Sequence, residues 1–142
     1  MSGLALDCSI AVTWCFEDEA SPETDALLER VRDEGALVPV LWHLEIGNLL
    51  LQAERRGRMA SADAGLRLQL LGALPIATDD ETSARAWREV LALAREQGLT
   101  TYDAAYLELA TRRGLPLATK DRVLRDAARR VGVQLLPNEM SL

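Results

Sequence analysis

The sequence predicts an α/β fold, a parallel sheet flanked by helices on both faces. Three observations predict it. Apolar runs of strand length recur along the chain, segments with helical spacing separate them, and Gly or Pro punctuates the junctions.

Leu4-Ala-Leu6 reads as the first strand, stopped by Asp7, and Ser9 is placed to cap a turn of helix over Ile10–Phe16. The acidic loop Glu17–Pro22 leads into a helix that runs to Glu34, with Ala26, Leu27 and Val31 near helical spacing and Gly35 as its stop. Ala36–Val38 is the second strand, closed by Pro39. A long helix over Leu41–Arg56 follows, stopped by Gly57, and then another over Ser61–Gly72. Ala73–Ala77 is the third strand, and Thr78–Glu81 opens a helix that lasts to Gln97, with Gly98 at its C-cap. A helix over Tyr102–Arg113 ends at Gly114 and precedes the fourth strand, Leu115–Ala118. A helix over Arg122–Val131 and a strand over Val133–Leu136 complete the chain.

A chain of 142 residues, 49% of them apolar, can fill one core, so residues 1–142 are expected to form one domain. No apolar run approaches the roughly 18 to 20 residues of a membrane span, and the N-terminus lacks a secretory pattern, so a cytoplasmic protein is expected. Cys8 and Cys15 form neither a Cys-x-x-Cys pair nor a Cys/His cluster. This argues against disulfide scaffolds and zinc sites, and both read as core-lining thiols. The net charge of −6 argues against a surface that attracts phosphate everywhere, but leaves room for a local nucleic-acid site. Arginines bunch at Arg55-Arg56-Gly-Arg58, Arg112-Arg113 and Arg129-Arg130. Any single pair is more simply a solvated helix end, where cations are favoured.

Four acids stand out. Asp7 follows a buried strand, where a charge must be paired or metal-bound to offset its desolvation; helix capping is its duller role, and Ser9 could fill that. Glu45 lies in Leu41-Trp-His-Leu-Glu-Ile-Gly-Asn-Leu-Leu-Leu51, where nearly everything else is apolar, and it shares a narrow polar stripe with Asn48 and Gln52. Asp103 opens a helix after Thr100, in a spacing that imitates a capping box, and Asp121 could be the N-cap before Arg122. Asp79, Asp80 and Glu81 are assigned a structural part, since acids in a first helical turn complement the dipole. His43, the only histidine, cannot form a two-histidine acid–base pair and has no serine partner, so it reads as a packing or surface residue.

Carboxylates brought together repel, and a divalent cation relieves that repulsion. An all-oxygen set suits Mg²⁺, with Mn²⁺ as a substitute, whereas zinc would want His or Cys.

The stretches Leu6-Asp-Cys-Ser-Ile-Ala-Val-Thr-Trp14, Val38-Pro-Val-Leu-Trp-His-Leu-Glu-Ile-Gly-Asn48, Thr101-Tyr-Asp-Ala-Ala-Tyr-Leu-Glu-Leu-Ala110 and Leu117-Ala-Thr-Lys-Asp121 resemble the ordered motifs of PIN-domain proteins. The nearest group is the VapC-type toxin ribonucleases of toxin–antitoxin pairs. The resemblance runs over about the whole chain and implies a PIN-like parallel sheet of four or five strands, metal-dependent RNA cleavage, an antitoxin partner and a homodimer. It puts Asp7, Glu45, Asp103 and Asp121 at the family's acidic positions, Ser9 and Thr119 at the hydroxyl positions beside them, and Asn48 at the polar position one turn after the helix acid. Cys8 stands where a small residue is commoner, and Gly47 is a flexible choice within a helix.

The expected reaction is hydrolysis of an RNA phosphodiester by metal-activated water. Asp7 and Asp121, helped by Asp103, would hold one ion, and a second would be recruited with substrate near Glu45. An antitoxin tail is expected across the cleft, with an arginine on the carboxylates in place of metal. Two other classes compete. A haloacid-dehalogenase-like phosphatase or receiver domain also places an acid after the first strand, but position 9 is serine, so the phosphatase's Asp-x-Asp is absent. The third class is a non-catalytic PIN-like module that only binds a partner.

Overall fold

The computed structural model describes residues 3–140. Strands β1 (Leu4–Leu6), β2 (Ala36–Val38), β3 (Ile76–Thr78), β4 (Leu117–Ala118) and β5 (Leu135–Leu136) form one sheet in the order β3-β2-β1-β4-β5. Every pairing is parallel, with Leu4 opposite Ala36, Ala5 opposite Leu117, Leu37 opposite Ala77 and Ala118 opposite Leu136. The chain walks outward from β1 to β3, then returns to the other side of β1 for β4 and β5. The sheet therefore reverses its strand order between β1 and β4, where α/β proteins open a crevice at the carboxyl ends of their strands.

The helices are α1 (Cys8–Ala11), α2 (Pro22–Glu34), α3 (Leu41–Arg55), α4 (Ser61–Gly72), α5 (Thr82–Arg85), α6 (Leu91–Gln97), α7 (Thr101–Arg113) and α8 (Arg122–Arg130). Right-handed crossovers put α1–α4 on one face of the sheet and α5–α8 on the other. The packing agrees: α3 lies against α1 and α4, while α7 lies against α6 and α8. A π-turn over Ala86–Val90 joins α5 to α6.

Local signals set the boundaries. Ser21 and Thr24 form a reciprocal capping box at the start of α2, with Pro22 in the first helical position. Gly35, at φ 81°, turns the chain from α2 into β2, and a Cβ there would come within 3.1 Å of the Pro75 carbonyl oxygen. Glycine is required there on both counts. The core beneath is built on Leu4, Leu6, Ile10, Val31, Val38, Leu50, Tyr106, Leu107, Leu117 and Leu124, all fully buried. Each large aliphatic side chain so buried contributes about 1.5–3 kcal/mol.

Several elements differ from the sequence reading. The third strand starts at Ile76 rather than Ala73, because Ala73 still belongs to the end of α4, its N–H bonded to the Gln69 carbonyl at 3.1 Å. Strands β4 and β5 are two residues each, shorter than expected. The first helical turn starts at Cys8, so Ser9 lies inside it instead of capping it. Leu44 is 79% exposed, so the apolar residues of α3 do not all face inward.

Two largely shielded arginines tie distant segments together. Arg125 donates to the Thr119 carbonyl at 2.8 Å and to the Pro137 carbonyl at 2.7 Å, which fastens the chain after β5 to the loop after β4. Arg112 donates bidentately to Asp79 at 2.8 and 3.1 Å, and also to Glu108 at 3.0 Å and Glu81 at 3.1 Å. Asp79 is buried and Arg112 nearly so. The expectation that the acids of 79–81 and Arg112 are merely helix-end charges is therefore corrected: Asp79 and Arg112 form a buried ion pair across 33 residues.

Candidate metal centre

The four sequence-predicted acids converge at the carboxyl ends of β1 and β4. Asp7 follows β1 directly and is 5% exposed. It occupies the N-cap position of α1 but makes no capping bond with its side chain. Its Oδ2 instead accepts from Ser9 Oγ at 2.6 Å and Thr119 Oγ1 at 2.7 Å. Ser9 Oγ in turn accepts from the Lys120 backbone N–H at 2.8 Å, and Thr119 Oγ1 accepts from the Asp121 N–H at 3.0 Å. The two hydroxyls thus stitch the β1 exit to the β4 exit. Asp121 caps α8 through Oδ2, which accepts from the Leu124 N–H at 3.0 Å, and this leaves its other oxygen for a ligand.

Asp103 stands in the first turn of α7. Thr100 caps that helix by accepting from the Asp103 N–H at 3.1 Å, so the Asp103 carboxylate is not needed for the cap. Glu45 reaches the group from α3, on the other face of the sheet. It is half-buried, and its Oε1 accepts from the Tyr106 hydroxyl at 2.6 Å. Tyr106 is fully buried, three residues after Asp103 on α7 and so on the same side of that helix. The sequence reading did not single it out. The available signal was an aromatic residue carrying a hydroxyl in an otherwise apolar helical segment, since such a hydroxyl needs a partner when buried. Asn48 is exposed one turn beyond Glu45, and His43 is exposed with Nδ1 3.3 Å from the Val40 carbonyl.

The electrostatics are those of crowded like charges. Burial pushes the Asp7 carboxyl up, against the lowering effect of the Ser9 and Thr119 hydroxyls, and Asp121 adds to the rise. Glu45 is raised by burial and by Asp7 despite its bond from Tyr106. Asp103 is pushed up to about 6 by burial first, then by the charges of Asp121, Asp7 and Glu45. Burial and the Glu45 carboxylate push the Tyr106 phenol far up, so its proton stays in place as a donor. Cys8 is half-buried and lines the core as expected, and it also lies beside Asp7 and Glu45; burial with those carboxylates raises it well above its usual range. A thiol raised in this way is a poor nucleophile. Cys15 is buried, as expected.

Among the described residues no Lys, Arg or His forms an ion pair with Asp7, Glu45, Asp103 or Asp121. Crowded carboxylates of which Asp7, Glu45 and Asp103 are raised, and which have no such cation beside them, fit a hard divalent ion. No three of them place ligand atoms within 4.8 Å of one another, a spacing reached among the described residues by Asp79, Asp80 and Glu81. That second trio is the weaker candidate. Both Asp79 oxygens are engaged by the Arg112 guanidinium, and although burial raises Asp79, that guanidinium and the Thr82 hydroxyl hold it below its usual range. A cation there would have to displace an arginine. The acids at the sheet edge are spaced more widely, and among the described residues no guanidinium engages them. A hollow of about 430 Å³ lies instead at the amino ends of the strands, lined by Gly3, Gly35, Ala36, Pro75 and Leu115, and brings no comparable set of carboxylates together.

The raised Asp103 has a consequence for stability. A carboxyl with a folded pKa near 6 and an unfolded value near ~3.9 favours the native state when protonated, so its contribution is lost as pH rises through that window. With chelator present, the melting temperature is expected to fall between pH 5 and pH 7.5, and Asp103→Asn is expected to flatten that fall. Added Mg²⁺ should raise the melting temperature more at pH 7.5 than at pH 5. A wild-type profile no steeper than that of the Asn variant would contradict this account.

A parallel α/β fold with an acidic centre at its strand-order reversal is the class these features define. The chain belongs to the PIN-domain family, whose model matches residues 4–130. It is similar to Ribonuclease VapC3 of Pyrobaculum aerophilum, 29% identical over 121 residues that cover 85% of this chain and 91% of that protein. It is also similar to Exonuclease VapC9 of the same organism, 40% identical over 81 residues, which cover 56% of this chain and 57% of that protein. Among solved structures, the crystal structure of PAE2754 from Pyrobaculum aerophilum matches with a TM-score of 0.69 and 28% identity, over 94% of this chain and 90% of that one. The family resemblance carried by the motifs is thereby borne out, as is the parallel sheet flanked by helices. Among the described residues no helix is long and apolar enough to cross a membrane.

Proposed function

We propose that this protein is a metal-dependent endoribonuclease, the toxin of a toxin–antitoxin pair, acting through Asp7, Glu45, Asp103 and Asp121. One observation carries the reading: four carboxylates from both helix layers meet at the sheet's carboxyl edge with no cation among the described residues paired to them. The names of its relatives VapC3 and VapC9 point to nuclease chemistry.

Asp7, Asp121 and Asp103 would hold Mg²⁺ or Mn²⁺, with Glu45 nearest the substrate side. Bound there, such an ion supplies a water of lowered pKa and neutralises charge on the phosphate. Ser9 and Thr119 fix the orientation of Asp7 by donating to one of its oxygens, which leaves the other directed by the pair. Lys120 and Arg122, both exposed, flank Asp121 and suit the RNA backbone, where phosphate contacts position a strand without reading its sequence. An antitoxin arginine laid on the unpaired carboxylates would satisfy them in place of metal. Exposed Leu44, Leu66 and Leu70 suit a homodimer through apolar helix faces.

The test uses the same RNA in linear and closed circular form. Both are expected to be cut with Mg²⁺ or Mn²⁺ and spared with chelator. Degradation of the linear form alone would replace this reading with an exonuclease, the activity named for VapC9. If both forms survive with either ion, the nuclease assignment fails.

A further inference from the structure

The structure contains two ways of holding an acid that is at least half-buried, and the contrast between them assigns a role to Tyr106. Asp79 is held by the guanidinium of Arg112, which fixes its geometry and also neutralises its charge. Glu45 is held by the neutral hydroxyl of Tyr106, at 2.6 Å, which fixes geometry and leaves the charge in place. The neutral Cys8 thiol is a second, weaker hydrogen-bond partner of the Glu45 carboxylate, and among the described residues no other nitrogen or oxygen donor reaches it.

Glu45 needs such a partner. Its side chain has several rotatable bonds, the neighbouring His43, Leu44 and Asn48 of α3 are exposed, and Asp7 and Asp103 push its charge away from the centre. Left alone, the carboxylate would swing outward into water. Tyr106 is anchored where nothing moves easily: it is fully buried, on a helix packed against β1 and β4, in the same core as Leu107 and Ala110. Its bond reaches from one helix layer to the other across the mouth of the sheet.

We propose that Tyr106 is the positioning residue of the acidic centre, a neutral clamp that holds Glu45 over the site with one oxygen engaged and the other free for a divalent ion or its water shell. An arginine or lysine in its place would compete with that ion for the same charge, as Arg112 does at Asp79. The inference rests on the metal-site reading above.

The test is a double-mutant cycle on Tyr106→Phe, which keeps the ring and removes the donor, and Glu45→Gln. Mn²⁺ binding is followed by calorimetry and RNA cleavage is followed separately. Tyr106→Phe is expected to weaken Mn²⁺ binding by about tenfold and to lower kcat, with KM for RNA changed less than about twofold. In the Glu45→Gln background the same change should have no further effect on binding or kcat. Glu45→Asp, which keeps the charge but is a methylene short of the hydroxyl, should reproduce the Tyr106→Phe loss even if that variant proves hard to fold. Equal losses from Tyr106→Phe in both backgrounds, or unchanged Mn²⁺ binding in Tyr106→Phe and Glu45→Asp, would overturn the clamp while leaving the metal site intact. Wild-type protein that binds no Mn²⁺ would remove the metal-site reading, and the clamp with it.

Discussion

Asp7→Asn is expected to reduce metal-dependent RNA cleavage by on the order of 100-fold or more, the largest loss from any single substitution at the site. Asp7 sits where both halves of the centre join. It ends the central strand, is almost fully buried, and accepts the hydroxyls of Ser9 and Thr119 at 2.6 and 2.7 Å. Those bonds set the direction of its remaining oxygen, and an amide in its place offers no negative charge to an ion. Stability should move the opposite way. Burial and Asp121 raise the Asp7 carboxyl, so the charged form burdens the fold, and the neutral isostere relieves it. Chelated Asp7→Asn protein at pH 7.5 is therefore expected to melt at or above the wild-type temperature. Full cleavage by this variant would exclude the four-carboxylate site. Lost activity together with a lower melting temperature would instead mean that the substitution damages the fold.

The second large effect concerns folding. Arg112→Met is expected to cost about 3–5 kcal/mol in urea unfolding, because it leaves Asp79 buried without a cation and Glu108 with only the longer contact to Arg85 at 3.6 Å. The side chain of Asp79 is fully shielded from solvent and that of Glu108 is 7% exposed, so water cannot replace the lost partner. Arg112→Lys should recover only part of the loss, since one ammonium cannot reproduce the bidentate bond to Asp79 alongside the bonds to Glu108 and Glu81. A cost under about 1 kcal/mol for the Met variant would place these groups with ordinary surface pairs.

The contrast between Asp7 and Asp79 explains what could be read from the chain and what could not. Leu4–Leu6 ends at Asp7, and Leu117–Ala118 is followed closely by Asp121, so an acid at a strand's exit is a local pattern that places both at the sheet's edge. Alternation of strand and helix, punctuated by Gly35, Pro39 and Gly114, is equally local, and the parallel sheet follows from it. Asp79 stands at a helix entrance among other acids, which looks the same whether solvated or buried. Its burial depends on Arg112, 33 residues away, and the Glu45–Tyr106 bond spans 61. Contacts at that range are made by packing and leave no periodic trace. The apolar composition of α3 also misleads in detail, since Leu44 and Leu51 are exposed while Glu45 turns inward. The pull on Glu45 comes from a donor on a different helix.

The bond between Arg125 and the Pro137 carbonyl has a practical side for anyone who handles this protein. The same guanidinium holds the Thr119 carbonyl, two residues before Asp121, so the segment at 137–138 acts as a brace for the acidic centre. Sequence appended or trimmed beyond Asn138 would load that brace.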